Sequence, residues 1–458
     1  MRLPASVVAA LVTLTTAVAA APAAPGQWSA ATTIRTCAPA STPKVVFPYS
    51  IPQTRSGFGA ILWLGGAPSC GGGTAAGATT LDGATLHSDD VPSLPRALWS
   101  RGGLGGPLAV AGTTEGQLVA ALDNGAGAVY GEGDAGNPFG ALRSLGRSTA
   151  LIATANGYIG DADIVTAASE GGAQTITLRE QRHYARSFGL SRSFSVGSAP
   201  LGALTVGMDF RADSIVAWAQ RGTIYARWIT NTGRMYPIRR VGPTGYDPQI
   251  ATVLSDNNHA FVMWTDEPDP GAAGQTTIYL VHSGDDVTFG TPRPLATFTE
   301  PAQQRLTPGS IALVRMSPSE GVLAAWTSLS PNGDYMVSGA GLTSRGALPP
   351  GTISQAGADL RLAALAAGPR DDAVAVLESA PRAAHGFNDA QQQIEASRTV
   401  PGGPGGTAFA TPTVLAGPGE NGAPAVAIDP DTDNAVVAWQ TTAAGSPAVA
   451  YSIRAAST

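Results

Sequence analysis

The chain is nearly without lysine: Lys44 stands alone among 27 basic residues, and the rest are arginines. Charge of either sign is scarce, at 13% of residues with a formal net charge of −6, and no basic cluster interrupts it. Such a surface offers no electrostatic footprint for nucleic acid or an anionic membrane. Low charge with 43% hydrophobic residues also excludes a disordered chain, because enough apolar surface is present to fold. Histidine is thin as well: His87, His183, His259, His282 and His385 are scattered. Two cysteines without a neighbouring histidine do not complete a tetrahedral metal shell. No G-x-S-x-G, H-E-x-x-H, P-loop or C-x-x-C occurs, so no nucleophile, metal or phosphate motif is legible and no cofactor is expected.

Long apolar runs are missing except at the start. "MRLPASVVAALVTLTTAVAA" has one positive side chain, Arg2, then an apolar stretch that ends in small residues. It is too short and too rich in Ala and Thr to span a bilayer comfortably, and Ala17-Val18-Ala19 fits an A-x-A cleavage site. Residues 1–20 are therefore expected to be a secretory signal peptide. The remainder, 27–458, is expected to be one soluble, monomeric domain, secreted or extracellular at the cell envelope. In an oxidising compartment an even cysteine count favours a disulfide, here Cys37 with Cys70. Unstrained, it would stabilise by roughly 3–4 kcal/mol on the chain-entropy model.

What the chain does have is a phrase that returns. "DNAVVAW" at 433–439 echoes "DSIVAW" at 213–218, "HAFVMW" at 259–264, "GVLAAW" at 321–326 and "GAILW" at 59–63. Weaker copies are "QLVAA" at 117–121, "DIVTA" at 163–167 and "DAVAVL" at 372–377. The eight copies recur roughly every 45–60 residues, a period that belongs to propellers and solenoids. Each sits second in a unit of four short strands. One precedes it ("PQIATVL", "GSIALVRM", "PAVAID"), and another follows ("TTIYLVHS", "GTIYARW", "AVAYSI"). The fourth carries an aromatic and then apolar residues at three-residue steps, as in Phe289-Pro292-Leu295, Phe409-Pro412-Leu415 and Phe139-Leu142-Leu145. Helical periodicity is nearly absent, so the fold is all-β.

In "AVVAW" both pleat faces are apolar, which requires burial on both. Proline near the fourth strand removes a ladder donor and suits a sheet edge. Small four-stranded sheets packed face to face around an axis make a β-propeller, most simply of eight blades, with seven as the alternative. The last unit, 424–454, supplies three strands. "QWSAATTI", with Trp28, Ala31 and Ile34, has a fourth-strand rhythm and no strand before it. The N-terminal strand is therefore expected to complete the C-terminal blade and close the ring. A β-solenoid gives no reason for that displaced strand.

Connections after second strands and between blades share one face. The long ones fall there: 65–77, 265–276, 327–334 and 379–391, with 99–107 and 299–308 between blades. Long loops on a rigid scaffold concentrate function. The candidate ligand face is accordingly Asp266, Glu267 and Asp269, with Arg305, Arg382, His385, Asn388 and Asp389. The five Trp of the phrase are expected to be core rather than sugar platforms. "DPDTDN" at 429–434 is expected to be a turn rather than a calcium loop, because no bidentate Glu follows.

The repeated units resemble exported bacterial propellers of the broad sialidase-like group with BNR-type repeats. The resemblance covers nearly all of 27–458 as a pattern. The group's S-x-D-x-G-x-x-W turn motif is not found. The resemblance implies an arginine cluster, for which Arg101, Arg305 and Arg382 are expected to share a face, and a Tyr–Glu nucleophile pair, which has no assignable counterpart. It thus implies a fold and not a chemistry. The expected function is non-catalytic binding of a glycan, peptide or protein partner at the cell envelope through the long-loop face. The alternative is a sialidase-like glycoside hydrolase or lyase using carboxylates such as Asp266 and Glu267.

Overall fold

The structure is a computed structural model. It describes residues 26–35, 43–48, 59–65, 80–87, 90–99, 104–113, 117–134, 139–147, 151–156, 160–182, 185, 187–255, 257–269, 274–284, 288–300, 306, 309–316, 321–343, 346–353, 359–380, 391–399, 409–443 and 446–456. The signal segment, Cys37 and Cys70 lie outside these residues.

Eight antiparallel sheets stand in a ring. The first blade is Lys44–Val46, Gly59–Gly65, Thr80–Leu86 and Arg96–Trp99; the second is Gly105–Gly112, Gln117–Asp123, Ala128–Asp134 and Arg143–Gly146. The third is Ile152–Asn156, Ala162–Glu170, Ala173–Gln181 and Leu190–Ser195; the fourth is Leu201–Met208, Ser214–Gln220, Thr223–Ile229 and Arg239–Pro243. The fifth is Ile250–Leu254, Ala260–Asp266, Gly274–His282 and Arg293–Glu300. In the sixth, Ile311–Arg315, Val322–Leu329 and Tyr335–Thr343 are followed by an outer edge split into Gly346–Ala347 and Gly351–Thr352. The seventh is Asp359–Ala367, Ala373–Ala380, Gln392–Arg398 and Thr413–Gly419. The eighth takes Gly422–Ile428, Ala435–Ala443 and Ser446–Arg454 from one end of the chain and Thr32–Arg35 from the other. Successive first strands touch around the axis, and Gly422–Ile428 touches Lys44–Val46, so the circle is complete.

The expected clasp is present. Thr32 stands opposite Tyr451 and Arg35 opposite Ala448, while Trp28 bridges Arg454. Ser452 Oγ donates to the Ser29 carbonyl at 2.8 Å, and Ile453 N–H donates to Ser29 Oγ at 3.0 Å.

The recurring phrase is explained by how the blades meet. The core is divided among the seams between blades. Ala435, Val437 and Trp439 enter the seam with the seventh blade, whereas Val436 and Ala438 enter the seam with the first. One strand therefore feeds two cores, which is why both of its faces are apolar. Trp63, Trp218, Trp264, Trp326 and Trp439 are each at most 2% exposed. Truncating such a side chain to alanine costs about 3–5 kcal/mol.

Proline behaves as an edge residue. Pro292 and Pro412 fall just before outer strands, and Pro243, Pro294 and Pro418 lie within them. The fourth-strand aromatics sit one step earlier than the sequence rhythm suggests: Phe289 and Phe409 form isolated bridges to Ser283 and Thr399 ahead of the outer strand. The tight turns from first to second strands also repeat. Ala212, Asn258, Asp371 and Asp433, all with φ between 56° and 63°, each stand two residues before a second strand. Asn and Asp tolerate that left-handed conformation; alanine does so at a cost. Asp429 belongs to the same device: its carboxylate accepts the Asp431 N–H and the Thr432 hydroxyl, closing the 429–434 turn.

Candidate functional site

Antiparallel order sorts the connections. The ends of second strands and of outer strands share one face, called here the upper face; the turns just described share the lower. Asp266, Glu267 and Asp269 fall on the upper face, at the seam between the fourth and fifth blades. They differ in accessibility. Asp269 is exposed, Asp266 is half-buried and Glu267 is buried. The Asp266 carboxylate accepts the Gly245 N–H, and burial raises its pKa against that bond. The Glu267 carbonyl accepts the Tyr246 N–H at 3.0 Å. Asp266 and Glu267 thereby hold the 244–249 connection, and Tyr246 on that connection is 52% exposed. Arg305, Arg382, His385, Asn388 and Asp389 lie outside the described residues, as does Arg101.

A cavity opens on the same face, at the seam between the first and second blades. Its volume is about 570 Å³, within the usual range of small-ligand sites. Trp99, the last residue of an outer strand, and Leu104, just before the next inner strand, form one wall. Asn124 and Gly127, from the turn after Gln117–Asp123, and Ser144 and Arg147, at the end of the second blade, form the other. The lining is mixed: one indole and several aliphatic groups, with an amide, a hydroxyl and a guanidinium.

Local chemistry fixes this cavity. Asn124 Oδ1 accepts N–H bonds from Ala126 and Gly127 at 3.0 and 3.1 Å, a side-chain turn of the type asparagine favours. Asp123 Oδ1 accepts the Gly125 N–H at 2.6 Å. Ser144 Oγ accepts the Gly146 N–H at 3.1 Å. Gly146 has φ 97°, a conformation that an L side chain rarely adopts, and it lets the chain leave the outer strand beside the turn. Arg147 is exposed and has no ion pair or hydrogen bond among the described residues.

Three acids stand apart from this surface. Burial pushes the Asp82 carboxyl up to about 7, opposed by a hydrogen bond from Thr80. Glu180 is likewise pushed up to about 7 by burial, opposed by its bond from Arg182. Asp163, wholly buried, is raised well above the carboxylate range by desolvation. A carboxyl without solvent access cannot meet a substrate, so these acids belong to the seams. Among the described residues no group of three or more His, Cys, Asp or Glu has metal-holding geometry. No described helix is long and apolar enough to cross a membrane, which says nothing of strands.

The sequence reading did not single out Trp99, Asn124, Ser144 or Arg147. It did mark the 99–107 connection as long and as lying on this face. The four side chains come from three separate segments and carry no motif, so only the folded seam brings them together.

The fold defines the class: an eight-bladed β-propeller. No family model and no curated relative matches the chain. Solved structures are similar to the chain at low identity and low TM-score. A polysaccharide lyase of family PL25, an ulvan lyase bound to a glucuronate–sulfated rhamnose chain, is 10% identical with a TM-score of 0.44, covering 91% of this chain and 94% of its own. Virginiamycin B lyase from Staphylococcus aureus is 12% identical with a TM-score of 0.39, over 76% of this chain and 94% of its own. The Aleuria aurantia lectin, in complex with a fucosyl-GlcNAc disaccharide, is 12% identical with a TM-score of 0.37, over 69% of this chain and 98% of its own.

Proposed function

We propose that this protein is a non-catalytic, exported propeller of the cell envelope that binds a glycan on its upper face. The observation that carries the reading is the cavity at the seam of the first two blades, where the half-buried Trp99 indole stands beside Asn124, Ser144 and Arg147. An aromatic face takes the C–H side of a pyranose, and nearby donors take its hydroxyls; large amphipathic rings with few fixed polar groups suit such sites. Tyr246 adds an exposed ring on the same face, at the seam of the fourth and fifth blades. Export follows the signal-like opening and a Cys37–Cys70 disulfide follows the export. Thiol counting on the mature protein, with and without reductant, tests the disulfide.

Hydrolysis asks for two carboxyls facing each other across a cleft roughly 5–10 Å wide. Among the described residues no carboxyl lines the cavity, and Asp266 and Glu267 hold the 244–249 connection between the fourth and fifth blades. The binding reading is tested on a glycan array with the intact protein and with Trp99→Ala. Wild-type signal that the variant loses supports it. A blank array, or a signal indifferent to Trp99, overturns it.

A further inference from the structure

The cavity between the first and second blades is asymmetric in its hydrogen bonding. We infer that it selects an anionic saccharide, one carrying a carboxylate or a sulfate ester. The inference rests on the glycan reading above and goes further by assigning the ligand's charge.

The described polar side chains that line the cavity keep more donors than acceptors. Asn124 gives its oxygen to two backbone N–H groups of its own turn. That assignment fixes which end of the amide is nitrogen, and among the described residues nothing accepts the two hydrogens of Nδ2. Ser144 Oγ uses one of its two lone pairs on the Gly146 N–H and keeps its own hydrogen available. Arg147 brings only donors, all unspent among the described residues. Asp123, the nearest acid of the turn, bonds the Gly125 N–H and is not part of the lining.

A neutral sugar hydroxyl donates as well as accepts, so side chains that among the described residues offer more donors than acceptors favour a ligand that only accepts. A carboxylate or sulfate accepts only, and its geometry matches the planar fork of a guanidinium. Trp99 and the aliphatic wall then hold the ring that carries the anion.

The test is calorimetric titration of the full-length protein with methyl β-glucuronide, glucose 6-sulfate and methyl β-glucoside, with sodium acetate and sodium sulfate as sugar-free arms. At least one acidic sugar is expected to bind tenfold or more tightly than the glucoside, and more weakly as salt rises. Which acid wins distinguishes carboxylate from sulfate. Arg147→Gln, at an exposed position that leaves the fold intact, is expected to bring acidic and neutral sugars to equal affinity. Asn124→Ala tests the turn, and Ser144→Ala, which keeps the strand, is expected to weaken the acidic sugar several-fold. Equal affinity for glucoside and glucuronide in the wild type, or an Arg147→Gln variant that still prefers the acid, overturns the charge assignment and leaves the glycan reading standing. Acetate or sulfate binding as tightly as the sugars overturns the inference by showing an anion site indifferent to the ring. No binding in any arm overturns both.

Discussion

Ser214 donates its hydroxyl to Asp163 across the seam between the third and fourth blades. Asp163 is wholly buried and stands opposite Glu180 in the sheet register. Burial raises the proton affinity of both acids, that of Glu180 against its bond from Arg182, and the fold carries that as a dependence on pH.

Stability is expected to fall as pH rises from 5 to 8. Asp163 is raised well above the carboxylate range, and Glu180 and Asp82 to about 7, in each case chiefly by burial. An acid whose folded pKa is raised binds its proton more tightly folded than unfolded. Its contribution is therefore full below about pH 4 and is lost as pH climbs toward the folded value. For Asp82 the loss is roughly 2–4 kcal/mol at about 1.4 kcal/mol per pKa unit. Urea unfolding at pH 5 and pH 8 measures it. Asp82→Asn and Asp163→Asn should each flatten the profile, and a profile as steep as the wild type in both variants would refute the assignment.

Arg398 Nη2 bridges two blades. It pairs with Asp372 of its own blade and, at 2.7 Å, with Asp433 of the eighth. All three side chains are at most 11% exposed. Arg398→Met leaves two carboxylates buried together and is expected to cost about 3–5 kcal/mol. Adding Asp372→Asn and Asp433→Asn to that variant should restore most of the loss in thermal melts. If the triple variant is no more stable than Arg398→Met, the charges are not the cause.

Two of the repeated tryptophans differ in one bond. Trp264 Nε1 donates to the Pro243 carbonyl at 2.9 Å, whereas Trp218 Nε1 is buried without a partner among the described residues. Replacement by phenylalanine empties similar volumes in both seams, but only Trp264→Phe strands a carbonyl. It should cost about 1 kcal/mol more than Trp218→Phe by denaturant titration. Equal losses would assign the whole effect to packing.

The clasp strand covers an edge. Removing residues 1–35 uncovers Ser446–Arg454 and takes Ile34, 6% exposed, out of the seam between the eighth and first blades. Unpaired edges recruit other chains. The shortened protein is expected to elute as larger species than the full chain does. A shortened protein that elutes as the full chain does and is equally stable would show the clasp to be dispensable.

How much of this was legible in the sequence depended on repetition. The phrase ending in Trp recurs because each second strand must serve two seams, and Ala435 to Trp439 spell that requirement in five letters. The clasp was legible from Trp28 to Ile34 for the same reason: its rhythm matched outer strands elsewhere. The site had no such redundancy. Asp266 and Glu267 read as exposed loop acids, yet Gly245 and Tyr246 approach them from the neighbouring blade, a contact no local pattern encodes. Asn124 and Ser144 look like ordinary turn residues, and their turn chemistry is what leaves their donors free beside Trp99.

The bond between Ser452 and Ser29 joins residues 423 positions apart. During synthesis the first strand to emerge must therefore wait for the last hairpin before it has a neighbour. Until then the side of the first blade bearing Phe47, Ile61 and Trp63 has nothing to lie against. The growing wheel stays adhesive at both rims until its final spoke arrives, and the hazard of misassembly is concentrated at that one moment of joining.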